Sequence, residues 1–410
     1  MKENNNLNIT ILISNNPYNQ SSASANRWRT LIEGLVNLGA NINLLIIDGY
    51  QTQNEKQKFK QNGEYMGFQY KYINLLVIDN YWKIRFYEYF FRYISQFIIK
   101  RKILNLLKDT KSIIWTDNSL FGFQIAHSLR KKYPYVKIFL EMSEFLDIYK
   151  TNKGNFIQKI IAHKREKFFL KKAYLAYNGI ALMTKTLFDY YNSFSIKGPQ
   201  LLHLPMTVDL ERFSQKTSPP KNFKMPYIAF VGSMNDKKEG ISILIKAFAK
   251  IIKEFPFYKL YLIGKWHYDI PIYLKLINEF NLETSIFWMG EYPRDMIPSI
   301  IMNAKLLVLP RPLSKQALGG FPTKLGEYLA TGIPVCATSI GEIPNYLIDE
   351  ESIYFAEPNS IESFANALIR ALKDPIKAKN VGSKGKIVAE KYFNKNLQAK
   401  ILYEFLQNKI

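Results

Sequence analysis

The sequence has little of what disulfide-bonded, secreted and membrane-spanning proteins need. Cys336 is the single cysteine among 410 residues, so an intramolecular disulfide is excluded and a reducing compartment is expected. No apolar run reaches the roughly 18 residues of a membrane-spanning helix. The first ten residues, MKENNNLNIT, lack the apolar core of a signal peptide. These absences predict a cytoplasmic protein.

Acidic residues are also scarce relative to basic ones. The chain has 56 Lys and Arg against 34 Asp and Glu, which gives a formal net charge of +22. Such a surplus predicts an anionic partner: nucleic acid, lipid head groups or phosphorylated small molecules. No zinc spacing, RNA-recognition signature or helix-turn-helix pattern accompanies the charge, so nucleic acid is not expected. The length and the 47% hydrophobic fraction favour two domains with cores of their own.

The first half opens with the pattern of a doubly wound sheet. Residues 7–14 predict a buried strand, residues 27–38 an amphipathic helix and residues 41–47 a second strand. The loop between the first strand and the helix contains the small residues Ser22, Ala23 and Ser24, which would let a ligand approach the backbone. The alternative is an ordinary surface loop.

A later strand of the first half, residues 136–140, is followed by two carboxylates, Glu141 and Glu144. Side chains just past a strand end face the crevice in which ligands of such sheets bind. We therefore count Glu141 and Glu144 as candidates for the acceptor side of a site. The alternative is that they cap the next helix.

Two basic, aromatic segments of the first half, residues 81–108 and 157–172, show helical spacing. In the first segment, Phe86, Phe90, Tyr93 and Phe97 fall on one side. Basic amphipathic helices of this kind bind anionic membrane surfaces, and two of them predict loose attachment to the inner face of a membrane. The alternative is a pair of core helices with solvated cationic faces.

The second half repeats the alternation of strands and helices, and each strand delivers a glycine or a cation to one edge of the sheet. These strand-end residues are Gly232, Ser233, Gly264, Lys265, Met289, Gly290 and Arg311. Several such loops on one edge predict a cleft for a nucleotide or sugar phosphate.

The stretch LGGFPTKLGEYLATGIPV, residues 318–335, predicts a glycine loop, a helix and a buried strand. Lys324 falls in the first helical turn and Glu327 about two turns in. Free N–H groups at a helix N-terminus favour an anion, and a phosphate is the obvious one. A cation in the first turn opposes the helix dipole, so an anionic partner would explain Lys324. The alternative is a structural corner with a solvated Lys and Glu.

Together these residues resemble glycosyltransferase family 4, whose members are retaining enzymes of the GT-B fold. The resemblance covers most of residues 204–375. It lies in LPMTVDLERF at 204–213, FVGSMNDKKEGISILIKAF at 230–248, LYLIGK at 260–265, IFWMGEYPRDMIPSIIMNA at 286–304 and GGFPTKLGEYLATGIPV at 319–335. The first half is similar only in its opening, SSASANRWRTLIEGLVNLGA, and in its order of elements.

The resemblance implies a role for several residues. Glu327 matches the glutamate that holds the nucleotide ribose, and Lys238 matches the lysine that contacts the donor diphosphate. Lys324, with Lys238 and Glu327, is a candidate for catalysis. The donor-binding candidates are Gly232, Ser233, Lys238, Gly264, Lys265, Met289, Gly290, Arg311, Gly319, Gly320, Phe321, Pro322, Thr323, Lys324 and Glu327.

The sequence departs from the family pattern at three places. The first glutamate of the family's pair falls on Gly319, and the expected arginine falls on Ser233. The histidine that many members use is absent at the strand end occupied by Glu141 and Glu144. Lys324 is the candidate replacement for the arginine.

The resemblance implies a GT-B architecture: two doubly wound, Rossmann-like α/β domains facing across a cleft. Residues 1–204 would form the acceptor-side domain, with a helix at 394–410 packing back on it. Residues 205–393 would bind the nucleotide-sugar donor. No cofactor is expected, because the nucleotide sugar is a substrate. No metal is expected either, because the sequence shows no metal-ligand cluster, which suits a fold that uses cations and helix dipoles instead.

The implied activity is retaining transfer of a sugar to a glycan or lipid-linked acceptor in surface polysaccharide or glycoconjugate synthesis. A GT-B sugar-nucleotide epimerase and a non-catalytic nucleotide-sugar-binding scaffold are the alternatives. Substitution of Glu327 or Lys324 is expected to leave folding intact.

Overall fold

The computed structural model describes residues 7–19, 22–51, 60–77, 92–108, 111–146, 156–194, 198–215, 217–224 and 226–408. Within these residues the chain forms two compact units, each with its own sheet. The first unit comprises Met1–Leu204 and Asn396–Ile410, and the second comprises Pro205–Lys395, as far as each is described. The prediction of two doubly wound α/β domains is confirmed.

The described sheet of the first unit has eight strands in the order β3-β4-β2-β1-β5-β6-β7-β8, with β3 antiparallel to β4 and the others parallel. The strands are β1 Asn8–Ile13, β2 Asn41–Gln51, β3 Asn62–Tyr65, β4 Phe68–Val77, β5 Ile113–Thr116, β6 Ile138–Met142, β7 Gly179–Leu182 and β8 Gln200–His203. The described helices are Ala23–Asn37, Arg92–Leu107, Leu120–Lys132, Phe156–Phe168, Lys185–Asn192 and Lys395–Asn408.

The first sheet is covered on both faces, which explains why β1 is a nearly continuous apolar run. Successive side chains of a strand point to opposite faces. Ile9 and Ile11 therefore pack in one core cluster, which also contains Leu402 and Leu406 of the C-terminal helix. Leu12 packs in the cluster on the other face.

The second unit has six described strands, all parallel, in the order β11-β10-β9-β12-β13-β14. They are β9 Tyr227–Val231, β10 Lys259–Ile263, β11 Ile286–Gly290, β12 Leu306–Leu309, β13 Val335–Thr338 and β14 Tyr354–Ala356. The described helices are Asp236–Glu239, Ile241–Ile251, Ile270–Glu279, Ile297–Ile301, Lys315–Gly319, Thr323–Ala330, Ile361–Lys373 and Pro375–Val388. The strand order reverses between β9 and β12, and ligands of doubly wound sheets bind at such a reversal.

Several predicted boundaries are wrong. The first helix begins at Ala23, four residues before the predicted start, because the Ser22 side chain caps it by accepting from the Ala25 N–H at 3.2 Å. Gly319 ends a short helix, Lys315–Gly319, instead of lying in a loop, because Ser314 caps that helix. Glu327 is the fifth residue of Thr323–Ala330, so it lies just over one turn into that helix.

The predicted membrane-facing segment is only partly described, since residues 81–91 lie outside the described residues. In Arg92–Leu107, Ile99, Ile103 and Leu107 are buried, whereas Phe97 and Ile98 are 71% and 61% exposed. None of the described helices is both long and apolar enough to cross a bilayer. The single thiol, Cys336, is buried in β13, and burial raises its pKa.

Gly240 allows the loops after β9 and β12 to touch. Its φ of 71° lies in the left-handed region, and an added Cβ would come within 2.0 Å of the Pro310 carbonyl oxygen. Gly290 has a similar φ of 75°, but a Cβ there would meet nothing within 4 Å. A comparison of the two glycines therefore distinguishes the effect of a left-handed backbone, which both have, from the effect of close backbone contact, which only Gly240 has.

We predict that Gly240→Ala destabilises the second unit more than Gly290→Ala does. Left-handed strain alone costs about 1–2 kcal/mol, which both variants bear. Only Gly240→Ala adds a collision with backbone, so its loss in unfolding free energy should be larger by about 1 kcal/mol or more. Urea denaturation followed by circular dichroism measures both losses, and equal losses would contradict the close approach.

Candidate active site

The carboxyl edge of the second sheet brings two cationic loops together where the strand order reverses. Gly232 follows β9, and Arg311 lies just past β12. Lys238 lies in the short helix Asp236–Glu239, whose Asn235 cap accepts from the Lys238 N–H at 3.1 Å. Of the predicted donor-site residues, the structure thus places Gly232, Lys238 and Arg311 in the loops on either side of the reversal.

Lys324 reaches the same place from the first turn of Thr323–Ala330. Its Nζ lies 2.7 Å from Glu239 Oε2 and 4.6 Å from the centre of the Phe230 ring. Gly232 lies so close that an added Cβ would come within 2.0 Å of the ammonium. The predicted anionic partner of Lys324 is therefore present within the protein: it is Glu239.

Glu239 is almost fully withdrawn from water, and Lys324 is largely shielded from it. Side-chain exposure is 17% for Lys324 and 3% for Glu239. Burial alone would raise the pKa of Glu239, but Lys324 and Arg311 outweigh it and hold that pKa below its ordinary value. Burial lowers the pKa of Lys324, and Glu239 opposes the change. The carboxylate is thus kept ionised by the cations around it.

Glu327 lies on the same helix and is also paired. Its Oε1 accepts from Arg212 Nη1 at 2.7 Å, and Arg212 Nη2 donates to the Arg294 carbonyl at 2.8 Å. The two side chains are 13% and 19% exposed, for Arg212 and Glu327 respectively. Arg212, which comes before the first strand of the second unit in sequence, therefore orients the carboxylate of Glu327, the predicted ribose-binding residue.

The neighbouring strand ends are tied to one another by hydrogen bonds. The Gly264 N–H donates to the Gly290 carbonyl at 2.9 Å, and Trp288 Nε1 donates to the Gly264 carbonyl at 3.0 Å. Lys265 and Ser233 are exposed, and Met289 is half-buried. These residues lie at the edge for which the sequence predicts a nucleotide or sugar phosphate, and hydrogen bonds connect the backbone of the neighbouring strand ends there.

The segment before the Lys324 helix is mostly packed. Phe321 is buried, with ring centres 5.8 Å from Tyr346 and 5.1 Å from Phe393. Gly319 and Pro322 are buried as well, whereas Gly320 and Thr323 are half-buried. The Phe321 side chain therefore belongs to the core.

In the first unit, Glu141 has a structural partner. Its carboxylate pairs with Arg27 of the first helix, whose side chain is 1% exposed, and it also accepts from Ser143 Oγ at 2.8 Å. Arg27 Nη2 donates to the Leu204 carbonyl at 2.8 Å. Glu144 is half-buried, and Ser22, Ala23 and Ser24 are exposed at the start of the helix.

Sequence reasoning missed Glu239, Arg212 and Arg27. The clearest sequence signal for Glu239 was Lys324, because a cation in the first turn of a helix opposes the helix dipole and indicates a nearby anion. The sequence did not show which of 34 acidic residues supplies it, because Glu239 lies 85 residues away along the chain.

We predict that Glu141→Ala destabilises the first unit by about 3–5 kcal/mol, because it leaves the Arg27 guanidinium buried without its carboxylate. The exposed pair of Lys185 and Asp189, with side chains 54% and 60% exposed, provides the control. Asp189→Ala should cost less than about 0.5 kcal/mol. Urea denaturation compares the two, and a stable Glu141→Ala protein that loses only activity would instead favour an acceptor contact.

Residues 211–388 match the family model described as "Glycosyl transferases group 1". A similar protein is the GDP-mannose-dependent monoacylated alpha-(1-6)-phosphatidylinositol monomannoside mannosyltransferase of Corynebacterium glutamicum, 25% identical over 51% of this chain and 57% of its own length. The N-acetyl-alpha-D-glucosaminyl L-malate synthase of Bacillus anthracis is 27% identical over 37% of each chain. The alignments thus span less than two thirds of these relatives.

Solved structures match over nearly the whole chain. Sucrose-phosphate synthase from Thermosynechococcus elongatus superposes with a TM-score of 0.76 at 17% identity, over 98% of both chains. Anabaena HepE in complex with UDP superposes with a TM-score of 0.69 at 14% identity, over 98% of this chain and 100% of its own. At such identities the likeness shows the fold alone. The second unit is therefore similar to the glycosyl transferases group 1 family over residues 211–388, and the chain has the GT-B fold.

Proposed function

We propose that the chain is a glycosyltransferase that moves a sugar from a nucleotide-sugar donor to a glycan or lipid-linked acceptor in surface polysaccharide or glycoconjugate synthesis. The observation that carries the proposal is the cluster of Lys324, Lys238 and Arg311 around Glu239, within the residues that match the group 1 family. A relative named as a GDP-mannose-dependent mannosyltransferase and a structural neighbour solved with UDP support a nucleotide sugar as the donor.

The cationic cluster suits the chemistry of a nucleotide sugar. The diphosphate is a good leaving group once its developing charge is neutralised, so fixed cations that face it accelerate the reaction. Lys324 and Lys238 would each contribute a charge-assisted contact of roughly 1.5–3 kcal/mol. Glu327, oriented by Arg212, would accept from the ribose hydroxyls.

Three finer features belong to the same proposal. Transfer retains the anomeric configuration of the donor, which rests on the resemblance of residues 319–335 to family 4. The reaction uses no metal cofactor, because Lys324, Lys238 and Arg311 would supply the positive charge at the diphosphate. The acceptor would bind the first unit near Ser22–Ser24 and Glu144.

The buried Lys324–Glu239 pair changes one expectation about the site variants. Lys324→Ala leaves a buried carboxylate without its cation, so it costs stability as well as activity. Assays of this variant therefore need a temperature at which circular dichroism shows it folded.

The first prediction for activity concerns Glu327 and Lys324. Glu327→Gln should raise the KM for the donor, since a lost charged hydrogen bond costs roughly 1.5–3 kcal/mol. Lys324→Ala should chiefly lower kcat, because the diphosphate gains charge in the transition state. Lys237→Ala, at an exposed neighbour of Lys238, is the control and should leave both constants unchanged.

The same assay tests the function as a whole. A panel of nucleotide sugars is supplied with and without an acceptor extract, and the product anomer is determined by NMR. Transfer that needs the acceptor and retains the anomer agrees with the proposal. Turnover without acceptor would indicate the epimerase, binding without turnover the scaffold, and an inverted product would overturn retention.

We further propose that the protein is cytoplasmic and binds the inner face of a membrane loosely through the helices Arg92–Leu107 and Phe156–Phe168. Phe97 and Ile98 are exposed beside the exposed cations Arg101 and Lys102. Apolar side chains next to cations fit an anionic lipid surface.

The expected result is that Phe97→Ser combined with Ile98→Ser weakens binding to phosphatidylserine vesicles. Salt should weaken wild-type binding too, since charges are screened beyond about 10 Å at 0.1 M. Phe257→Ser, which changes a 79% exposed residue of the second unit, should bind like the wild type. Sedimentation with vesicles provides the measurement, and a wild type that ignores these vesicles at low salt would refute the proposal.

A further inference from the structure

Lys324 places its ammonium where two effects oppose a positive charge. The first turn of Thr323–Ala330 carries the positive end of the helix dipole, and burial disfavours the charged form. Among the described residues, Glu239 supplies the carboxylate in contact with it, at 2.7 Å. Glu239 is itself nearly inaccessible and would be costly without a cation. Each charge therefore depends on the other.

The contacts also fix the position of the ammonium. A free lysine head group moves on a flexible four-carbon stem. Here Glu239 binds it from the helix after β9, the Phe230 ring lies 4.6 Å away, and Gly232 leaves the space that it occupies. The ammonium is thus held beside the backbone that follows β9.

Two further cations lie in the surroundings of the pair. The charges of Lys238 and Arg311 act on both Glu239 and Lys324. Lys324 is therefore one of several neighbouring cations at this edge of the sheet. A diphosphate bridging a nucleoside and a sugar carries two negative charges, so neighbouring cations suit that ligand.

We propose that Glu239 is a positioning residue that holds the Lys324 ammonium in place for the donor diphosphate. The identity of the anion rests on the proposed function; the positioning itself rests on the contacts of Glu239. The carboxylate is too buried to contact a ligand, so it acts only through Lys324. A cation that is fixed in advance loses less conformational freedom when the anion binds. It also stabilises the negative charge that develops on the diphosphate in the transition state.

A different role would give the opposite result. If Glu239 merely neutralised Lys324, its removal would release the ammonium, and Lys324 would then contribute more to anion binding. If the two residues acted independently, the contribution of Lys324 would not change. A double-mutant cycle on anion binding separates these three outcomes.

The experiment measures binding of inorganic pyrophosphate by calorimetry to the wild type, Glu239→Gln, Lys324→Met and the double variant. Lys324→Met should weaken binding about tenfold or more in otherwise wild-type protein, as expected for loss of a charge-assisted contact. In the Glu239→Gln background the same substitution should weaken binding by less than about threefold. An equal or larger factor in that background overturns the proposal, and so does a wild type that does not bind pyrophosphate.

Folding and function are controlled separately. Circular dichroism at the assay temperature verifies that each variant is folded, and Glu239→Asp, which keeps the charge but shortens the side chain, replaces Glu239→Gln if the latter unfolds. A wild type that shows the coupling but transfers no sugar refutes the proposed function and leaves the positioning role. A wild type that transfers sugar without the coupling refutes only the positioning role.

Discussion

The ion pair of Lys324 and Glu239 joins the segment after β9, at the strand-order reversal of the second sheet, to the helix Thr323–Ala330. Two charges in so little water are stable only together, so the position of the helix Thr323–Ala330 is tied to the short helix Asp236–Glu239. Glu327 lies on the same helix Thr323–Ala330, so the ion pair also constrains the position of Glu327. Its contact with Arg212 therefore depends on an ion pair whose two partners lie 85 residues apart in sequence.

Close backbone approach makes the pair feasible. The ammonium occupies space next to Gly232, and the left-handed Gly240 lets its loop touch the carbonyl of Pro310. A side chain at either position would push apart the groups that concentrate positive charge at the sheet edge. Gly232 and Gly240 thus determine how closely the charged side chains and the two loops approach one another at this site.

Much of the fold was predictable because it depends on local patterns. Buried parallel strands are apolar runs, and their alternation with helices predicts a doubly wound sheet. Pairing across the fold was not predictable, since Arg212 lies 115 residues from Glu327 and the pattern around each shows only its charge. The helix start at Ala23 was missed because small residues near a strand end fit a ligand loop as well as a cap. Glu141 was ambiguous for the same reason, and only its contact with Arg27 reveals a structural role.

The packing of Leu402 and Leu406 against Ile9 has a consequence for synthesis of the chain. During translation, domains generally fold in order from the N-terminus as they leave the ribosome. Here one core cluster of the first unit is complete only when the helix that begins at Lys395 has been synthesised, which is after the described strands of the second unit. The second unit can therefore complete its folding first, while the earlier part of the nascent chain still exposes apolar surface that chaperones recognise.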